Sequence, residues 1–350
     1  MLNIGINYLV EKNNYDSIGN IYDNIYSSLI KKHYINLLKY PGRYCNLEEL
    51  QYCIDSVEQN NIFIDIHGFP VMIPVTHNKQ FCSNIKLNEI PQRLWNLKHQ
   101  SRISTHIVLV NHDRLKNYSE QDLNNIFHSN IDNMKEKLFN ICGTKFEIGG
   151  ELQPGGFDFD KATLCSNFIG NVWKEMDFGV FDITHAKLIC NDLNFSLSTY
   201  LENLKNKDKV KIIHIAGNTD ITNSYSNKPD KHVLTTIEEF YELNSILKHF
   251  NNVDSIISEY AYSTRFHTKK ELCIEVINLY FAINNISKLY YVSNFIESEL
   301  EHDASNLEYI LSVVEKLKWN RPMGTFLNGW KIQPFKNVPI GQFCFLLYLF

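Results

Sequence analysis

The chain has 350 residues, 44% hydrophobic and 21% charged, with a formal net charge of −5. This composition belongs to a globular protein and excludes a disordered polyelectrolyte; it also lacks the basic surplus of proteins that grip nucleic acid by its phosphates. The eight cysteines form no Cys-x-x-Cys pair, which fits reduced thiols in a cytoplasmic protein. No signal-peptide pattern opens the chain, and no apolar run approaches the ~20 residues of a membrane span.

Short β-branched or aromatic runs alternate with longer segments of helical periodicity, the pattern of βα units around a parallel sheet. Strands are expected over residues 2–7, 34–39, 62–66, 103–110, 145–150, 179–182, 210–215 and 255–259. Helices are expected over 16–31, 47–60, 89–100, 120–140, 161–175, 195–206, 235–250 and 269–286. Several open on capping signals, such as Ser119 before Glu120 and Thr235-Thr236 before Glu238-Glu239. Eight of each predicts an α/β fold, a (β/α)8 TIM barrel over residues 1–286. Residues 287–350 are expected as a C-terminal extension with a helix over 306–318 and an aromatic-rich tail.

A barrel of this kind carries its chemistry at the carboxyl ends of its strands. From the third strand onward those ends supply His67, His106, Glu151, Asp182 and His185, His214, Asp230 and His232, and Glu259, with no Lys or Arg among them. A single histidine at a strand end is more often a hydrogen-bonded structural residue, and Asp-x-x-His arises readily by chance. Joint placement carries the reading: six successive strand ends deliver imidazole or carboxylate to one rim. Buried carboxylates crowded together need cations, and this donor set suits iron, zinc or manganese. The first two strands end in no such residue, which leaves one side of the mouth as the expected entry for substrate. No Gly-x-Gly-x-x-Gly, Walker or Gly-x-Ser-x-Gly pattern is present.

The ligand order His, His, Glu, Asp-x-x-His, His, Asp-x-His, Glu resembles the xylose-isomerase-like barrel superfamily. Within it, the wording KIIHIAGNTDITNSYSNKPDKHVLTTIEEFYEL and FGVFDITHAKL is similar to the multinuclear non-heme iron-dependent oxidases, over roughly residues 60–260. Endonuclease IV, which shares the ligand order, would instead show a His-x-Asn-Asp-Ser-like strand end and a basic glycine-rich segment. The chain departs from the oxidase pattern at Glu151-Leu152-Gln153, where Glu-Asn is usual, and around Tyr40-Pro41-Gly42. Its last sixty residues have no counterpart in that pattern.

The resemblance implies two or three iron ions and dioxygen as co-substrate. Glu151 would bridge a pair of irons, one of them held by His67 and His106. Asp182, His214 and Glu259 would complete the neighbouring site, and His185, Asp230 and His232 would hold a third. It further implies oxidation of a ribosomally made precursor peptide, often at cysteine, with a partner protein that recognises the leader, and neither nucleic acid nor membrane as partner. The tail PFKNVPIGQFCFLLYLF reads either as a docking surface for that partner or as packing on the barrel. The alternatives are an endonuclease IV-like phosphodiesterase, a divalent-metal sugar isomerase or epimerase, and a non-catalytic barrel.

Overall fold

The computed structural model describes residues 2–8, 24–41, 47–67, 71–74, 81–82, 94, 102–108, 125, 128–129, 131–133, 135–136, 139–140, 143, 145–152, 169–170, 172–192, 194–217, 232–260, 269–300 and 306–318. Ten strands lie in one sheet: β1 (Asn3–Asn7), β2 (Leu37–Pro41), β3 (Phe63–His67), β4 (Val71–Pro74), β5 (Phe81–Cys82), β6 (Arg102–Val108), β7 (Glu147–Leu152), β8 (Phe178–Asp182), β9 (Val210–Ile215) and β10 (Ser255–Ser258). Their order is β3-β2-β1-β10-β9-β8-β7-β6-β4-β5, and every pairing is parallel except β4–β5. β3 also pairs with β6, through Ile66 with Ile103 and His67 with Ser104, so the sheet is strongly curled.

Parallel strands need long crossovers, and helices supply them. Leu47–Asn60 follows β2, Ile183–Asp192 and Leu197–Asn203 follow β8, Ile237–Leu247 follows β9, and Lys269–Asn284 follows β10. Residues 24–31, after β1, and 172–175, before β8, are also helical. The strands sit within a few residues of their expected positions. The expected helix 89–100 lies almost wholly outside the described residues, as do parts of 16–31, 120–140 and 161–175.

Three elements were not expected. One is the β4–β5 pair, whose first strand lies beside β6. Another is the helix Ile183–Asp192, which begins directly after β8, with no turn residue to announce it. The third is Leu289–Glu299, which packs with Leu307–Lys318 into the main core through Leu289, Val292, Ile296, Ile310, Leu311 and Val314. That pair is tied back near the chain start. Lys318 Nζ stands 3.5 Å from the Tyr34 ring centroid, and Lys32 meets Glu315 at 2.8 Å. Residues 319–350, with the aromatic tail, lie outside the described residues. Among the described residues no helix is long and apolar enough to cross a membrane.

Side chains alternate along each strand, and the alternation divides the buried residues in two. Ile4, Ile6, Leu38, Ile64, Ile66, Ile148, Phe181, Ile213 and Ile256 face the helices in the main core. Leu37, Phe178, Val180, Ile212 and Ile257 form a separate cluster on the concave face, with Phe63 against it. This cluster is the floor beneath the strand ends, and it fills tightly. A methyl group at Gly149 would overlap the Phe178 ring. Gly149→Ala is therefore expected to lose about 1–3 kcal/mol of unfolding free energy, read as a lower urea midpoint. An unchanged midpoint would mean that the ring has room to retreat.

Candidate metal centre

Two residues beyond the apolar floor, the same alternation changes chemistry. Leu37 is followed on its face by Lys39, Val180 by Asp182, Ile212 by His214, Ile257 by Glu259 and Gly149 by Glu151. On β3 the sequence Phe63-x-Asp65-x-His67 brings in two polar groups in succession. All of these polar residues are buried, each no more than 4% exposed. The strands thus build an apolar plug below and a charged layer above, within about 7 Å of strand rise.

Glu151 is the centre of that layer. Its Oε2 lies 3.1 Å from His67 Nε2 and 2.9 Å from His214 Nδ1, and its Oε1 lies 2.8 Å from His185 Nδ1. His214 Nδ1 is also 3.3 Å from Glu259 Oε1, and Glu259 Oε2 faces His232 Nδ1 at 3.4 Å. The His67 and His214 rings meet edge to face at 4.7 Å. Both Glu151 oxygens and both His214 ring nitrogens are buried without a hydrogen bond of good geometry among the described residues. Each neutral imidazole has one N–H to give, fewer hydrogens than the lone pairs that converge here, and such a set suits a cation.

Three overlapping groups result, each with ligand atoms within 4.8 Å of one another: His67, Glu151, His214 and Glu259; His185, His232 and Glu259; and Glu151, Asp182 and His185. These groups could hold metal ions, and Glu151 and Glu259 each belong to two of them. Seven of the nine residues expected from the sequence are thereby brought together. The backbone of His106 is level with Glu151 across β6–β7, but its side chain lies outside the described residues, as does all of Asp230.

The charge states fit ligands. Burial, helped by Lys39, pushes His214 down to about 3 and His67 well below its ordinary value, so both imidazoles are neutral with lone pairs available. Burial alone would raise the Glu151 carboxyl, and protons on His67, His214 and His185 around it would hold it well below the usual range; with His67 and His214 neutral, the charge that keeps it ionised has to come from a bound cation. Asp65 is pushed up to about 6 by burial, against Lys39 and a 3.0 Å hydrogen bond donated by Ser104 Oγ.

Lys39 was not expected: no Lys or Arg stands among the strand-end residues from the third strand onward, and the first two strands supply no ligand, but β2 brings a cation into the same layer. It lies on β2, is fully buried, and its ammonium contacts Glu259 Oε1. Asp65 and Asn7 were likewise not expected; they stand beside Lys39 in register on β3 and β1. The period of two places Asp65 on the face of His67, so that signal was in the sequence. Lys39 also had one, as a lone cation inside the apolar run Leu37-Leu38-Lys39-Tyr40.

Local structure holds the outer members. Asp182 ends β8 and its Oδ1 accepts the His185 backbone N–H at 2.7 Å, capping the helix that starts there, while Oδ2 faces His185 Nε2 at 3.8 Å. The Asp-x-x-His spacing is thus a helix cap and a ligand pair together. His232 has a left-handed backbone (φ 46°), next to Val233, which pairs with Gly217 at 3.0 Å in both directions. A methyl at Gly217 would overlap the Leu234 carbonyl, so only glycine lets this segment close over the end of β9.

Glu275, on Lys269–Asn284, anchors the same region. It accepts hydrogen bonds from Thr235 N at 2.9 Å, Thr235 Oγ1 at 2.7 Å and Ser258 Oγ at 2.7 Å. It therefore ties the His232 segment to the strand that leads into Glu259. Burial pushes its carboxyl up from 4.5 to about 7, against those three donors. The folded chain then binds a proton that the unfolded chain has released, so the stability Glu275 contributes falls as pH rises from 4.5 to 7. Glu275→Gln should flatten that slope in denaturant titrations across this window; an unaltered slope would place the pH dependence elsewhere.

No family model and no curated protein matches the chain. Solved structures with a similar fold include a xylose isomerase-like TIM barrel/4-hydroxyphenylpyruvate dioxygenase fusion protein, at 10% identity and a TM-score of 0.46 over 85% of this chain. The chain spans 44% of that fusion protein's length. A D-allulose 3-epimerase from Methylomonas sp. is 11% identical, with a TM-score of 0.41, 91% of this chain covered and 97% of that one. An HpcH/HpaI aldolase from Desulfitobacterium hafniense is 7% identical, with a TM-score of 0.38, 75% of this chain covered and 87% of that one. Likeness at this level carries no inference about chemistry.

Proposed function

We propose that the chain is a (β/α)8 barrel enzyme of the multinuclear non-heme iron type, which uses dioxygen to oxidise a ribosomally made peptide at cysteine. Support for the closed barrel is the β3–β6 pairing, which returns the parallel sheet on itself. The observation that carries the metal reading is the set of three overlapping buried ligand groups that share Glu151 and Glu259. The ligands in this reading are His67, His106, Glu151, Asp182, His185, His214, Asp230, His232 and Glu259. When bound, the irons supply oxygen activation and a seat for a substrate thiolate.

The chain's own part is positional. Glu151 and Glu259 stand between ligand groups and set their spacing, Asp182 and His185 are fixed by the helix cap, and His232 is fixed by the Gly217 bridge. The apolar floor of Leu37, Phe178, Val180, Ile212 and Ile257 closes the site to water from below, which strengthens every electrostatic contact above it. The peptide would enter from above, presented by a leader-recognition partner protein.

The resemblance and the donor set together favour iron; the fold alone would serve several chemistries. Protein made in iron-supplemented cells should carry about two to three iron ions per chain, with an absorption band that shifts on adding a cysteine-containing precursor peptide. Zinc alone, with cleavage of abasic-site DNA, would instead establish the phosphodiesterase reading. His185→Ala and His232→Ala should each lose metal and most activity, whereas a sugar isomerase working with one ion elsewhere in the layer would tolerate them.

A further inference from the structure

Lys39 has no place among the ligands, yet it lies in their layer. Its ammonium is fully buried and contacts Glu259 Oε1, the same oxygen that lies 3.3 Å from His214 Nδ1. Glu259 Oε1 is also the side of that carboxylate turned to the group of His67, Glu151 and His214, while Oε2 is turned to His232. Lys39 is paired in register with Asp65, a buried carboxylate, and with Asn7 on its other side. An ammonium in this setting neutralises carboxylate charge as a bound cation would. Two cations sharing one carboxylate oxygen at contact distance repel strongly in a site closed to water.

We infer that Lys39 is a resident cation that takes the place of a metal ion at Glu259 Oε1, so that the chain holds one ion fewer than its donor set could support. The inference rests on the metal-centre reading above. Glu259 would then have Oε2 left for an ion, and Glu151 would be the carboxylate shared between ligand groups.

Zinc, which has no redox chemistry, serves as the probe. Wild-type chain, Lys39→Met and Lys39→Arg are each stripped with chelator, dialysed to equilibrium against Zn2+ and counted for zinc per chain. Lys39→Met, which keeps the stem and loses the charge, should take up one zinc more than wild type, and Lys39→Arg should match wild type. Equal counts in all three would overturn the inference while leaving the metal centre standing. No zinc on any of them, and no iron in a parallel anaerobic Fe2+ dialysis, would sink the metal-centre reading and this inference with it. Should Lys39→Met not fold, anomalous scattering from zinc-loaded wild-type crystals decides. Zinc elsewhere in the layer with the Lys39–Glu259 contact kept supports the inference; zinc on Glu259 Oε1 with Lys39 displaced overturns it.

Discussion

Everything about this fold bends around one electrostatic problem: Asp65, Glu151, Asp182 and Glu259 are buried in a single layer, and Lys39 is the one buried lysine among the described residues. At the effective dielectric of protein sites, two like charges 4 Å apart repel by roughly 4 kcal/mol. Several such pairs exceed what one ammonium offsets, and they rival the whole stability of a domain, roughly 5–15 kcal/mol. Something positive is therefore required, or protons must be kept. The imidazoles of His67 and His214, which burial favours as neutral, cannot supply the charge; with His185 and His232 they surround the carboxylates, where they could share a charge that a metal brought.

The rest of the architecture makes this arrangement tolerable. Below the charged layer, the concave apolar cluster is packed so closely that a methyl at Gly149 would strike Phe178. At its edge, single residues do two jobs. Asp182 caps a helix and faces the site; Glu275 satisfies two hydroxyls and a backbone N–H and thereby joins the segments after β9 and β10. Burial holds the free thiols Cys190 and Cys273 up to about 12, which favours the protonated, unreactive form.

The sequence made legible those features that obey a period. Strand positions followed from alternating apolar runs, and the strand-end ligands followed from the strands. His67, Glu151, His214 and Glu259 were readable because each stands at or next to the end of an expected strand. Lys39 and Asp65 obey the same period but were not read: Lys39 closes the expected second strand, where only imidazole and carboxylate were sought, and Asp65 lies two residues before His67. The helix Ile183–Asp192 was missed for a different reason: its cap, Asp182, is also a strand residue, so one letter served two elements and no turn signal separated them. The grouping of the candidate ligands was available only through the resemblance, since it depends on side-chain reach across the curl. Here it differs from the inherited scheme by placing Glu259 and His185, like Glu151, in two groups each.

The left-handed backbone at His232 reaches further than local geometry. Only a few residue types settle in that conformation without strain: glycine first, then asparagine, aspartate and histidine. The backbone thus filters what can occupy the position before any chemistry is tested, and two of the four types that pass are metal-binding side chains. Most other residues at 232 would cost about 1–2 kcal/mol in that backbone, beyond the loss of the imidazole, and would loosen the segment that Gly217 pins. A variant that folds well there but has lost function should therefore be drawn from a very short list. The backbone constraint and the candidate ligand fall on this one residue.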